Sequence, residues 1–404
     1  MSFQPMKDLS RSSCEPDDTQ ILNMKKTKIQ YGWPFLAFFT WLAALGWIWT
    51  KIGTTGMGWG FHLSALVTLP MAGTFLWLGR WVQGRPGLLF SAFAWGASVA
   101  GFCAIWSQEG LQLLVDTQVG SEFGHWFGPL VITPVTEELF KGLFLIWMLV
   151  YRRTQIRGLL DGIVYGGLIG AGFASSEQIM YFGKIMVTYL VSDPANGAAG
   201  ATLVMSFLLR GLMVPFMHSF FVAFIGLGVA AAAGMRNRAI QMAFIFLGFI
   251  FPTVLHGVWD WAGLASGDPF MIYKIYVAVM LPLFLALAIL ALKMRQLRKK
   301  AIVAALPGIA EEGHVAQHEV ALLGSLKKRH GWRHEARQRA GRAAARLTAR
   351  YQAEASALAM LTLRSSATGR HEEVKEQVQA VHLARSQMEA AFVDCARKPL
   401  IDSL

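Results

Sequence analysis

Long apolar runs are the feature that most limits what this chain can fold into. Several of them approach the roughly 20 residues that an α-helix needs to cross the hydrocarbon core of a bilayer. They lie at about 33–50, 61–79, 88–106, 126–150, 160–183, 201–233, 239–264 and 270–292. Because every backbone polar group must be satisfied inside lipid, runs of this length predict helices. We therefore predict an all-α fold, a polytopic transmembrane bundle of about eight helices.

Composition divides the chain into three parts. The sequence is 54% hydrophobic and only 15% charged, which is too apolar for an ordinary soluble domain. Beyond about residue 295 it becomes rich in Ala, Arg, Glu and Gln, a composition typical of helices, with a Ser-Ser-Ala-Thr-Gly break at 365–369. We predict a polar N-terminal tail at 1–30, a transmembrane domain at 31–295 and a helical extension, folded as a hairpin, at 296–404.

The positions of the basic residues predict the orientation of the bundle. The net charge is +12, and Lys and Arg are concentrated in alternate loops and in the region after Lys293, whereas the loop at 108–122 has none. The positive-inside rule therefore places both termini, and the hairpin, in the cytoplasm. Because these charges flank membrane spans, we expect the lipid bilayer, and not nucleic acid, to be their partner.

The apolar runs contain ionisable residues, among them Glu137, Glu138, Lys141, Glu177 and Asp260. A charged side chain at mid-membrane costs roughly 2.5–3.5 kcal/mol, so these groups must face one another, water or a metal. Lys141 follows the two glutamates by four and three residues and shares a helical face with them. We assign Lys141 to structural charge compensation, which leaves one glutamate free to face a cavity.

Two histidines, His218 and His256, also lie inside apolar runs, and Asp260 follows His256 by four residues. A carboxylate one helical turn from an imidazole can accept a hydrogen bond from one ring nitrogen and orient the other toward a substrate or a metal. This spacing predicts that Asp260 orients His256.

A ladder of glycines at 162, 166 and 170 precedes Glu177 on the same predicted helix. Small residues at this spacing let another helix approach closely. We expect the ladder to bring Glu177 within reach of the helix that contains Glu137.

Three short motifs together resemble those of the PrsW family of intramembrane proteases. The motif EExxK stands at 137–141, FxxxE at 173–177 and HxxxD at 256–260, in the family's order. The resemblance covers about 30–292, and a more distant similarity extends to the CAAX prenyl endopeptidase and bacteriocin-processing superfamily. It implies an intramembrane endopeptidase of the bacterial plasma membrane. Its substrate would be a membrane protein, for example an anti-sigma-factor-like regulator.

Peptide hydrolysis needs a base that activates water, an acid for the leaving amine and a group that stabilises the oxyanion. Two mechanisms remain open. In one, a buried glutamate activates water and a histidine stabilises the intermediate, without a cofactor. In the other, His218, His256 and Glu177 bind Zn²⁺ and another glutamate is the base. The candidate catalytic residues are Glu137, Glu138, Glu177, His218, His256 and Asp260.

Two other classes of function account for part of the sequence. Intramembrane carboxylates also mark the paths of proton- or cation-coupled transporters, but the two halves of this chain share no polar pattern. A noncatalytic scaffold with a partner-binding hairpin leaves the buried carboxylates unexplained. Hydrolysis is therefore the favoured function, and the pattern specifies no oligomeric state.

Overall fold

The computed structural model describes residues 29–81, 86–192, 197–368 and 371–401, so residues 1–28 of the predicted N-terminal tail lie outside it. Within the described part every regular element is helical, which confirms the all-α prediction. The α-helices are α1 (Ile29–Leu78), α2 (Pro86–Trp95), α3 (Gly101–Gln118), α4 (Ser121–Phe127), α5 (Thr133–Tyr151), α6 (Leu159–Val191), α7 (Gly197–Phe207), α8 (Met217–Gly234), α9 (Arg238–Leu264), α10 (Met271–Ile275), α11 (Leu281–Glu311), α12 (Gln317–Leu323), α13 (Leu326–Thr368) and α14 (His371–Ile401).

Short stretches of other helix types interrupt this series. Four are π-helical: Gly96–Ala100, Gly128–Ile132, Leu208–Met213 and Tyr276–Met280. Two 3₁₀ turns lie at Gly79–Trp81 and Arg153–Gln155. The described residues form two compact units, and the boundary between them falls inside α11, between residues 296 and 297.

Among the described residues, 6 helical segments are long and apolar enough to cross a membrane: Trp33–Trp81, Pro86–Gln118, Leu159–Val191, Gly197–Gly234, Arg238–Leu264 and Met271–Glu311. The first of them is too long for one crossing. Helix α5 is not in this set, although its 19 residues suffice in length, because it contains three ionisable side chains. These apolar helices indicate an integral membrane protein. The predicted number of eight spans stays a prediction.

Helix α1 folds back on itself at Gly53. This residue has φ 64° and ψ −177°, a backbone conformation that glycine adopts without steric cost. The rings of Trp41 and Phe61 lie 6.4 Å apart, centroid to centroid, whereas 20 residues of straight helix would separate them by about 30 Å. The segments before and after Gly53 are therefore two antiparallel helices.

Helix α6 is the central helix of the first unit, and the glycine ladder is its contact with α8. A side chain on Gly162, Gly166 or Gly170 would collide with the backbone of Gly226, Val222 or His218, respectively. The ladder therefore packs against α8, and Glu177 reaches the helix of Glu137 through His218, which contacts both Glu177 and Lys141. The small side chains are matched to Gly226 of α8, which allows the two backbones to touch and places His218 beside the second half of α6.

The second unit contains an antiparallel pair formed by α13 and α14. Arg350 donates a hydrogen bond to Gln387 at 2.9 Å, and Gln377 donates to the Glu354 carboxylate at 2.7 Å. The predicted break between the two helices matches their observed ends, Thr368 and His371. The cytoplasmic location of this pair stays a prediction.

Candidate active site

Helix α5 holds the three ionisable residues of the first motif on one face. The ammonium nitrogen of Lys141 lies 2.8 Å from Glu137 Oε2 and 2.9 Å from Glu138 Oε1. This pairing follows from the local sequence, because residues three and four apart are neighbours on a helix. Both glutamates share the one ammonium, and all three residues are buried.

The Lys141 ammonium also contacts the second motif. Its nitrogen lies 3.9 Å from the centre of the Phe173 ring, a cation–π contact that gains strength in a site shielded from water. The EExxK and FxxxE motifs are therefore in direct contact, since the aromatic face of one covers the cation of the other.

Helix α9 brings His256 and Asp260 to the same place. His256 Nδ1 lies 2.9 Å from Glu138 Oε1, and its Nε2 lies 3.4 Å from Asp260 Oδ2. The imidazole stacks on Phe221 of α8, with ring centroids 4.8 Å apart. The ring is thus fixed at both nitrogens and on one face, and Asp260 is its partner at i+4 as the spacing predicted.

Helix α8 adds His218, which links the helices of the first and second motifs. Its Nδ1 lies 3.0 Å from the Lys141 ammonium, and its Nε2 is paired with the carboxylate of Glu177 on α6. The two imidazoles lie edge to face with centroids 5.6 Å apart. The structure therefore brings together all the residues that the sequence nominated for catalysis, on α5, α6, α8 and α9.

Four of these residues could hold a metal ion. One ligand atom from each of Glu137, Glu138, His218 and His256 lies within 4.8 Å of the others. Carboxylate oxygens and imidazole nitrogens are donors that zinc accepts, and Glu138 Oε2 is buried without a hydrogen-bond partner among the described residues. The donor set fits a divalent cation. Glu177, which the sequence nominated as a ligand, lies outside this set and contacts His218 from the opposite side.

The site opens into a cavity of about 520 Å³. Glu137, Glu177, His218, His256 and Asp260 line it, together with apolar residues. The two adjacent glutamates differ in their access to it. The side chain of Glu137 is 10% exposed, whereas that of Glu138 is 0% exposed and is not part of the cavity wall. Glu137 is therefore the member of the pair that can reach water in the cavity.

Three polar residues at the cavity were not assigned a role from the sequence. Gln108 donates to Glu137 Oε1 at 3.2 Å, Arg210 faces Glu177, and the guanidinium of Arg210 lies over the ring of Tyr181. None belongs to a recognisable motif. The sequence does contain one signal for Arg210, which is a charged residue inside an apolar run. Its contacts with Glu177 and Tyr181 depend on the packing of helices that are distant in sequence.

Comparison with known proteins agrees with this geometry. A family model described as "PrsW family intramembrane metalloprotease" matches residues 84–287, about half of the chain. The chain therefore belongs to the PrsW family of intramembrane metalloproteases, which confirms the resemblance of its three motifs.

One curated relative is Protease PrsW of Geobacillus kaustophilus. It is 30% identical to this chain over 131 residues, which make up 32% of this chain and 49% of the relative. The chain thus spans about half the length of the curated relative that it matches. No solved structure matches the chain significantly.

Proposed function

We propose that this chain is an intramembrane endopeptidase that hydrolyses peptide bonds of membrane-embedded substrates in the 520 Å³ cavity. The observation behind this proposal is the convergence of two carboxylates and two imidazoles within 4.8 Å of one another, and three of these four residues line a cavity in the membrane-spanning unit. Charged groups inside a membrane cost folding free energy, so a cluster of them indicates a functional site and not a structural one.

Glu137 is the proposed base. Its carboxylate reaches the cavity, and Lys141 and Gln108 hold it in place through one oxygen each. A water molecule beside Glu137 would give up a proton to this carboxylate as its oxygen attacks the peptide carbonyl carbon. Glu138 lies behind it and fixes His256, so its replacement should disturb the site without removing the base.

Glu138, His218 and His256 are the proposed metal ligands if the protein uses one. A bound divalent ion, for which zinc is our candidate, would polarise the carbonyl and make water more acidic. Glu177 would then orient His218, and Asp260 would orient His256, each through the ring nitrogen Nε2. Carboxylates commonly orient histidine ligands in this way. Lys141 compensates the charge of the glutamates in the protein without metal.

The substrates fit the location of the cavity. Its wall includes apolar side chains such as Trp47, Leu209, Leu264 and Ile272, which suit a membrane-embedded peptide. Anti-sigma-factor-like regulators in a bacterial plasma membrane are our candidate substrates, with both termini of the protease in the cytoplasm.

Cleavage by the purified protein tests the proposal. The protein in lipid nanodiscs is incubated with a library of transmembrane peptides, and products are identified by mass spectrometry. Glu137→Gln and His256→Ala should each lower the rate by about 10²- to 10⁴-fold, the usual contribution of a catalytic acid or base. Glu109→Gln is the matched control, because Glu109 lines the same cavity but lies outside the cluster, and its rate should stay within about threefold of wild type.

Two outcomes would contradict the proposal. Equal cleavage by wild type, Glu137→Gln and His256→Ala would mean that another site or a contaminant is responsible. Proton or cation flux in proteoliposomes without any cleavage would instead favour a transporter.

A further inference from the structure

An irregular stretch of backbone between α7 and α8 brings a second functional group into the cavity. Helix α7 ends at Phe207, residues Leu208–Met213 are π-helical, and α8 begins only at Met217. Irregular backbone at membrane depth is tolerated where it is buried in protein or lines a cavity, and π-helical turns are frequent at functional sites. Leu209, Arg210, Val214 and Pro215 of this stretch line the 520 Å³ cavity. The irregular backbone between α7 and α8 therefore forms part of the cavity wall.

Arg210 is the charged residue of this stretch, and it is only weakly neutralised. Its Nη1 lies 3.5 Å from Glu177 Oε1, and the side chain is 31% exposed. The guanidinium carbon lies 3.3 Å from the centre of the Tyr181 ring, so the plane of the cation is held on an aromatic face. In the described part of the chain Glu177 is its only carboxylate partner within 4.0 Å. A guanidinium has five N–H donors, and the closest contact with Glu177 involves only Nη1.

The other cationic and imidazole donors at the site are already engaged. The Lys141 ammonium contacts Glu137, Glu138 and His218. Both nitrogens of His218 and both nitrogens of His256 face a partner. Within the described residues of this cluster, Arg210 is therefore the cation with hydrogen-bond donors to spare for a substrate.

We propose that Arg210, supported by Tyr181, binds the carbonyl oxygen of the scissile peptide bond and stabilises the oxyanion that forms there. This inference rests on the proposed endopeptidase function. Attack of water on the carbonyl carbon forms a C–O bond and moves the π electrons of the carbonyl onto its oxygen, while Glu137 accepts the proton of the water. In this proposal the Arg210 guanidinium and the Tyr181 hydroxyl donate hydrogen bonds to this oxygen. Collapse of the intermediate then breaks the C–N bond, and the proton passes to the leaving nitrogen.

The test separates transition-state binding from substrate binding. Arg210→Gln should lower kcat by about 10²- to 10³-fold, the usual effect of removing an oxyanion donor, and change KM by less than about threefold. A phosphinic peptide has a tetrahedral phosphinate that resembles the oxyanion. Its inhibition constant should be about 100-fold higher for Arg210→Gln than for wild type. Tyr181→Phe keeps the ring under the guanidinium and removes only the hydroxyl, so a loss of about tenfold in kcat is expected.

Matched controls exclude a general structural effect. Arg238→Gln removes an exposed arginine from the start of α9, and Tyr189→Phe removes a hydroxyl from an exposed tyrosine of α6. Both should leave kcat within about threefold of wild type. If Arg210→Gln fails to fold, Tyr181→Phe still decides the question, because it preserves the stacked ring.

A purely positioning role for Arg210, acting through Glu177, gives a different result. In that case the double variant Arg210→Gln/Glu177→Gln would lose no more activity than Glu177→Gln alone. An independent oxyanion donor predicts that the two losses multiply. The inference is overturned if Arg210→Gln keeps kcat within about threefold of wild type, or if KM and the phosphinate inhibition constant rise together. Absence of cleavage by the wild-type protein would overturn both the proposed function and this inference.

Discussion

Replacement of Lys141 by methionine tests the arrangement of charges at the centre of the site. Methionine keeps the length and most of the volume of the side chain but removes the ammonium. We expect the variant to lose stability because Glu137 and Glu138 would then share a buried site without a fixed cation.

The size of the effect follows from the contacts. The Lys141 side chain is 0% exposed and makes ion pairs of 2.8 and 2.9 Å with side chains that are 10% and 0% exposed. Removing one partner of a buried ion pair costs about 3–5 kcal/mol, because the remaining charge is left uncompensated. The cation–π contact with Phe173 adds about 1–2 kcal/mol when shielded from water. We therefore expect the free energy of unfolding to fall by about 4 kcal/mol or more.

Unfolding in mixed detergent micelles, followed by circular dichroism, measures this change. Lys184→Met is the matched control, since Lys184 is an exposed lysine of α6, and its effect should stay within about 0.5 kcal/mol. The double variant Glu138→Gln/Lys141→Met replaces the most deeply buried carboxylate by a neutral amide. It should recover a large part of the lost stability, because one uncompensated charge disappears.

A stable but inactive Lys141→Met protein would refute this reasoning. If its free energy of unfolding stayed within about 1 kcal/mol of wild type while cleavage was lost, Lys141 would act in the chemistry and not in charge compensation. Equal stability of the single and double variants would likewise show that Glu138 does not depend on the ammonium.

Three further predictions concern other parts of the molecule. Gly166→Ala should cost about 1–3 kcal/mol in thermal unfolding, because its methyl group would collide with the backbone of α8, whereas Gly73→Ala, which has open space, should cost little. Tyr351 donates a 2.6 Å hydrogen bond to Glu319, and burial together with this carboxylate raises the pKa of Tyr351. The folded state then keeps a proton that the unfolded chain loses above about pH 10. The stability difference between wild type and Tyr351→Phe should therefore be full below about pH 10 and shrink as the pH rises further. His256→Ala should lower the metal content of the purified protein. A chelator should lower the unfolding temperature of wild type but not that of His256→Ala. Cleavage by metal-free wild type would favour the glutamate mechanism.

Contacts within one helix could be predicted from the sequence, whereas contacts between helices could not. The pairs of Lys141 with its two glutamates and of His256 with Asp260 follow from a spacing of three or four residues. The contact between His218 and Glu177 depends on the packing of α8 on α6. The glycine ladder indicated that some helix approaches α6, but small residues do not specify that this helix is α8.

The number of membrane spans shows a related limit of the sequence. Hydropathy detects apolar length, so it separates the two halves of α1 only through the short polar stretch around Gly53. Hydropathy also fails to detect α5, because Glu137, Glu138 and Lys141 lower the apolar content of this helix. The same three residues belong to the proposed active site. The helix that is hardest to recognise as a membrane span is thus the one with the proposed base.

The irregular backbone at the site has a physical reason that regular helices cannot supply. A straight helix satisfies its own hydrogen bonds and presents only side chains to its neighbours, so it encloses little space for water and substrate. Here π-helical turns precede both α5 and the turn that leads into α8, at Gly128–Ile132 and Leu208–Met213, and the second of these lines the cavity. Pro129 and Pro215 lie in or next to these stretches, and a proline removes a backbone donor that a regular helix would need. These two departures from regular helix therefore lie next to ionisable side chains of the cavity: Glu137 follows the first, and the second contains Arg210 and precedes His218.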